Sequence, residues 1–172
     1  MDTTTLPDAA STPQTATLRW MLSHPARILA QFFGAGLLRP GPGTWGTLAG
    51  WVSWLALLQN RSTLWQIAVI LAGFLIGCWA CHKAGKDLGI ADHGSFVIDE
   101  VMAFWLMLWL VPTTLFAQSF AFLLFRLFDI FKPPPIRYFD RRLKNGFGVM
   151  FDDLLAAFYA LLVFAIGQRI FG

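Results

Sequence analysis

The chain has 172 residues, of which 56% are hydrophobic and 13% charged, with eight Trp and seventeen Phe; soluble domains run at about 45–50% and about 25%. That balance excludes an ordinary soluble domain, and the length fits one domain rather than two. The net charge of +3 is gathered rather than spread, with every acid except Asp2 and Asp8 lying between Asp87 and Asp153. No broad basic stripe of the kind that grips nucleic acid is present, and that class is excluded as well.

Residues 1–17 are rich in Thr, Ala, Ser and Pro without apolar periodicity, which predicts a disordered tail. They lack the basic start and apolar run of a secretory leader. Leu18–Leu38 mixes apolar residues with Arg19, His24 and Arg27, a pattern for an amphipathic helix or two in the membrane interface. Arg39-Pro40-Gly41-Pro42-Gly43-Thr44-Trp45-Gly46-Thr47 is a loop entering a helix, with Thr44 placed to cap it. Glycine-rich backbone at a helix start can cradle phosphate, and a tight membrane-edge turn uses the same residues.

Uncharged runs cover Pro40–Asn60, Ser62–Cys81, Val101–Phe125 and Leu154–Gln168. Runs of this length cross about 30 Å of hydrocarbon as helices. The expected fold is all-α, a polytopic membrane helical bundle of four to five spans plus the N-terminal interfacial helix, with residues 18–172 as one membrane-embedded domain. The spans are placed at Trp45–Gln59, Thr63–Cys81, from Glu100 through Leu110, Leu115–Phe131 and Asp153–Phe171. The loops after the second and fourth carry most of the Lys and Arg, which places them in the cytoplasm. Cys78, Cys81 and His82 spell C-x-x-C-H, a pattern known from haem attachment and redox pairs. Inside an apolar helix, free Cys serves more often as a small hydrophobe.

The acids stand at the edges of these runs. Asp99 and Glu100, the only glutamate, open the third span, and Asp92 and His93 precede them. Arg126 and Asp129 share a helix face three residues apart, and Lys132 follows just before Pro133-Pro134-Pro135. Asp129 thus opposes the dipole of its own helix end and needs Arg126 or a metal to offset it. Asp152 and Asp153 fit a helix cap and first turn, but one acid would suffice for a cap. Carboxylates about 5 Å apart repel by roughly 3 kcal/mol at an effective dielectric of 20. Their gathering calls for a cation, and oxygen-only ligands suit magnesium. Arg126, Lys132 and Lys86 add anion-binding charge, and His93 fits a loop residue better than a ligand. Acids for a hard cation beside bases for an anion are the parts of phosphoryl transfer.

The motifs Pro42-Gly43-Thr44-Trp45-Gly46-Thr47, Asp92-His93-Gly94-Ser95 through Asp99-Glu100, Phe125–Pro133 with Pro135-Ile136-Arg137, Phe139-Asp140-Arg141 and Gly148–Asp153 resemble those of the phosphatidylglycerophosphatase A family, in the family's order. The likeness runs from about Phe33 to the last helix. It implies a magnesium-dependent hydrolase of the bacterial cytoplasmic membrane that takes the terminal phosphate from phosphatidylglycerophosphate, leaving phosphatidylglycerol, with its site on the cytoplasmic side. On that resemblance Asp99, Glu100, Asp129, Asp152 and Asp153 are the acidic motif positions, and Arg126 and Lys132 the basic ones. The assignment adopted is Glu100, Asp129 and Asp153 as Mg²⁺ ligands and Asp99 or Asp152 orienting water. Arg126 and Lys132 serve catalysis, and Thr44, Thr47, Lys86 and Arg137 hold substrate phosphate. A phosphotransferase acting on CDP-activated alcohols would need a D-G…A-R…G…D…D run, which is absent. An ion or anion channel or carrier would place charges near mid-span. Nothing in the sequence sets an oligomeric state.

Overall fold

The computed structural model describes residues 16–171, and its regular elements are all helices. The tail expected over 1–17 lies, apart from its last two residues, outside the described residues. Thr17 accepts a hydrogen bond from the Trp20 N–H and caps α1 (Leu18–Leu22). His24 caps α2 (Pro25–Ala30) in the same way. A 3₁₀ turn, Phe32–Leu37, follows. The interfacial segment is therefore two short helices and a turn.

α3 spans Pro42–Ser53 and continues into a π-helical turn, Trp54–Leu58. Its N-cap is Gly41, in the left-handed conformation at φ +67°, with Pro42 at the first helical position. Proline's missing N–H costs nothing there, so the helix starts before Thr44, which is not the cap.

α4 (Thr63–Leu88) runs two turns beyond the expected Cys81. The charged last turns stay helical because Asp87 accepts Lys83 from one turn back and Arg27 of α2 at 2.9 Å. The helix stops at Gly89, left-handed at φ +70°, the usual C-terminal device. α5 covers Ile98–Leu110 and α6 Leu115–Phe131, the latter capped by Thr114. α7 (Ile136–Arg142) follows the prolines, and α8 covers Gly146–Phe171.

The start of α8 corrects the sequence reading. Asn145 accepts the Gly148 N–H at 2.8 Å and caps the helix. Asp152 and Asp153 therefore lie well inside it, both buried, and neither is a cap.

α5 is the central column. It packs against α3, α4, α6 and α8, and is buried on nearly every side. Gly43, Gly46 and Gly50 line the face of α3 that meets it, and the Trp105 indole donates to the Gly50 carbonyl at 2.7 Å. Small residues at a crossing let two backbones approach closely.

α4 and α8, of 26 residues each, reach about 39 Å at 1.5 Å per residue, more than the hydrocarbon of a bilayer. Among the described residues they are the two helices long and apolar enough to cross a membrane. The outer face of α4 exposes Leu64, Trp65, Leu71, Leu75, Ile76 and Trp79. A continuous bare apolar face of this size is what lipid, and not water, covers.

Candidate metal and phosphate site

Four helix ends meet at one level of the bundle. The N-terminus of α5 supplies Asp99 and Glu100, the last turns of α6 supply Arg126 and Asp129, and the second turn of α8 supplies Asp152 and Asp153. The first turns of α3 lie over them with Gly43, Thr44 and Thr47.

Carboxylate oxygens of Asp99, Glu100 and Asp153 all lie within 4.8 Å of one another. One oxygen of each, Oδ1 of Asp99, Oε2 of Glu100 and Oδ2 of Asp153, is buried without a hydrogen-bond partner. Burying charged oxygens unpaired is costly, and each pair at this spacing repels by about 3 kcal/mol at an effective dielectric of 20. Three inward-facing oxygens with nothing to accept from are a donor set for a hard divalent cation.

Asp129, expected among the ligands, stands beside this trio rather than in it. Its Oδ2 lies 2.7 Å from Nη1 of Arg126. The same guanidinium is 3.8 Å from Glu100 Oε1 and donates to the Thr47 hydroxyl at 3.3 Å. Thr47 in turn donates to the Gly43 carbonyl at 2.8 Å. Nε of Arg126 is buried and has no partner, so the guanidinium keeps a donor in reserve. A side chain at Gly43 would run into Glu100 Oε1 and sit 2.9 Å from Arg126 Nη2. The glycine is what allows the carboxylate and the guanidinium to meet against the backbone of α3.

Lys132 ends α6 in the left-handed conformation, φ +40°, a strained setting for a residue with a β-carbon. From there its ammonium pairs with Asp152 of α8 and, at 3.3 Å, with Asp140 of α7. Burial alone would lower its pKa. The carboxylates of Asp152, Asp153 and Asp140 outweigh that and hold it above the usual lysine range. The sign is that of a cation gaining partners, so its contribution is complete at neutral pH and falls away as pH rises from the ordinary lysine range to that elevated value.

The loop before α5 is braced from α2. The Val97 N–H donates to Ala30 O at 2.8 Å. Gln31, fully buried, donates to the Ser95 hydroxyl at 3.2 Å. Ser95 also lies 2.7 Å from Nδ1 of His93 and gives it its N–H at 3.2 Å. Nδ1 is thus an acceptor and Nε2 carries the proton. Burial, with Arg39 nearby, pushes the imidazole below its ordinary pKa, and His93 serves here as a neutral loop anchor. Gln31 carried no motif in the sequence; its part is visible only once α2 lies against the loop.

The other expected phosphate contacts divide. Thr44 sits half-buried on the first turn of α3, and its hydroxyl makes no hydrogen bond among the described residues. Arg137 is exposed on α7 and donates to Phe131 O at 3.5 Å. Lys86 is exposed near the end of α4 and lines a separate crevice with Lys144. Cys78 and Cys81 are free thiols on α4, one half-buried and one buried.

Fold and site together define a helical membrane protein with a buried carboxylate trio beside an arginine and a lysine. The family model described as Phosphatidylglycerophosphatase A matches residues 28–168. A Haemophilus influenzae protein named Phosphatidylglycerophosphatase A is 47% identical over 147 residues, covering 84% of this chain and 90% of that protein. One of the same name from Escherichia coli is 41% identical over 139 residues, 80% of each chain. No solved structure matches. The chain belongs to the Phosphatidylglycerophosphatase A family.

Proposed function

We propose that this protein hydrolyses the terminal phosphomonoester of phosphatidylglycerophosphate, leaving phosphatidylglycerol and inorganic phosphate, as the names of its relatives state for them. The observation that carries the chemistry is the trio Asp99, Glu100 and Asp153, with an unpartnered oxygen on each and Arg126 alongside. These residues would hold Mg²⁺, with Asp129 adjoining through Arg126. When bound, a divalent ion there supplies charge neutralisation and a more acidic water.

The chain's own residues do the rest. Arg126, with its spare Nε–H, and Lys132 take the non-bridging phosphoryl oxygens; an arginine fork suits such oxygens. Thr44 and Thr47 add hydroxyls from α3, while Lys86 and Arg137 meet phosphate on the aqueous side. Asp99 or Asp152 orients the attacking water. The new bond joins water oxygen to phosphorus, the ester bond to glycerol breaks, and the water's proton ends on the glycerol oxygen. Burial of the trio excludes bulk water, which strengthens each of these contacts.

The bundle is read with about five spans: α3 with its π turn, α4, α5, α6 and α8. The helices of 17 and 13 residues reach about 25 and 20 Å; α5 is buried among its neighbours, and α6 exposes one apolar face. With the basic loops in the cytoplasm, the site lies at the inner leaflet, where the acyl chains stay in lipid while the headgroup bends into the trio. A channel or carrier would set charge at mid-span, whereas these charges gather at helix ends. The domain is read as continuous from residue 18 onward.

The test is phosphate release from phosphatidylglycerophosphate in detergent, with EDTA and with Mg²⁺ restored. Release that stops in EDTA and returns with Mg²⁺ is expected. Undiminished release in EDTA would remove the cation from the trio, and no release under either condition would remove the substrate.

A further inference from the structure

Between α4 and the start of α8 lies a crevice of about 240 Å³, lined by Cys81, His82, Gly85, Lys86, Lys144, Asn145 and Gly146. Its walls are set by close backbone approaches. The start of α8 at Gly146 presses on α4 at Cys78 and His82, and the loop at Ile90 and Ala91 folds back over Gly85 so closely that a β-carbon there would lie 3.0 Å from their carbonyl oxygens. The mouth carries Lys86, Lys144 and His82, all exposed. Neither lysine forms an ion pair among the described residues, whereas Arg27, Lys83, Arg126 and Lys132 do. Asp92 is within electrostatic reach of Lys144 but is not bonded to it. Two cations left without carboxylates across one cavity make a receptor for an anion of more than one charge.

Size and position narrow the ligand. At about 30 Å³ per water the crevice holds some eight waters' worth of space, enough for a phosphate with part of its hydration and too little for a whole lipid headgroup with its chains. Gly146 lies seven residues before Asp153 on α8, about 10 Å along the axis and on the same face. The crevice thus lies on the aqueous side of the trio. A diacyl product leaves sideways into lipid, whereas a phosphate dianion must leave into water, and the two need different exits. We propose that this crevice is a second phosphate site, binding inorganic phosphate on its way out and, when the cytoplasmic concentration is high, from outside. This inference rests on the phosphatase reading for the origin of the phosphate, not for the binding itself.

The test uses the full chain in phosphatidylcholine nanodiscs with EDTA present, measuring equilibrium binding of labelled inorganic phosphate. Saturable binding is expected, about tenfold weaker in the Lys86→Gln/Lys144→Gln double variant, the scale of losing two charge-assisted contacts, and unchanged in Asp153→Asn. Equal affinity in the lysine variant and the parent would overturn the proposal, as would binding that Asp153→Asn alone abolishes. Replacing phosphatidylcholine with phosphatidylglycerol separates the sources: abolished phosphate binding in those discs would assign the crevice to a lipid headgroup and overturn the free-phosphate proposal. No turnover is needed, so failure here leaves the phosphatase reading to its own assay.

Discussion

At Gly43 one hydrogen atom in place of a methyl lets Glu100 and Arg126 share the backbone surface of α3. Gly43→Ala keeps the helix and pushes those two groups aside, and a displacement of that order costs about a hundredfold in rate. Phosphate release should fall by that factor while helical content is unchanged; a loss below threefold would show the contact to be dispensable. The trio makes an opposite prediction for stability. In EDTA its members repel one another, so Asp153→Asn should melt above the parent, yet lose both turnover and the rise in melting temperature that Mg²⁺ gives the parent through preferential binding to the folded state. A parent with no Mg²⁺-dependent shift would contradict this. Which acids to single out was legible in the sequence because charge is so rare in it. Which three converge was not, since the pairing of Asp129 with Arg126 competes within one helix while Asp99 and Asp153 meet across two. Gly43 could be read only as a turn or cradle, because the groups it admits come from helices far along the chain.

Among the elements, the π-helical turn at Trp54–Leu58 leaves wide carbonyls and brings Gln59 round to face its neighbours. The Gln66 amide donates to Leu58 O at 2.9 Å and Gln59 O at 3.2 Å. Gln118 of α6 accepts from the Trp51 indole and donates to Gln59, both at 2.8 Å. This chain of amides ties α3, α4 and α6 together at a distance from the acids. Gln118→Leu should therefore lower thermal stability by about 1 kcal/mol, the usual value for such bonds within membranes, and leave the rate per folded molecule close to that of the parent. A rate loss larger than the stability loss would mean the network shapes the site. Helix type and order were legible from uncharged runs, and α6 matches its expected bounds. α4 was read short because its last turns carry charge, which Lys83, Asp87 and Arg27 neutralise among themselves. α8 was read late because two aspartates imitate a cap that Asn145 in fact provides.

For the molecule as a whole, the exposed apolar faces of α4 and α8 suit lipid, and the proposed orientation puts the basic loops around Lys86 and Lys144 in the cytoplasm. In a chain with Cys78→Ser and Cys81→Ser, which should keep its activity, a cysteine placed at Asn60 is expected to react with an impermeant thiol reagent from outside intact cells. One placed at Asn145 should not. The reverse pattern would turn the protein over and move the site away from the cytoplasm. Lipid-facing surface was legible as composition; the crevice between α4 and α8 was not, because its lysines read as ordinary loop charge until the helices cross. The convergence of α5 with α8 has a further effect during synthesis. Asp153 stands 53 residues after Glu100, so under the proposed assignment a chain that has not yet reached α8 would hold only part of the trio. A chain truncated ahead of α8 should therefore release no phosphate.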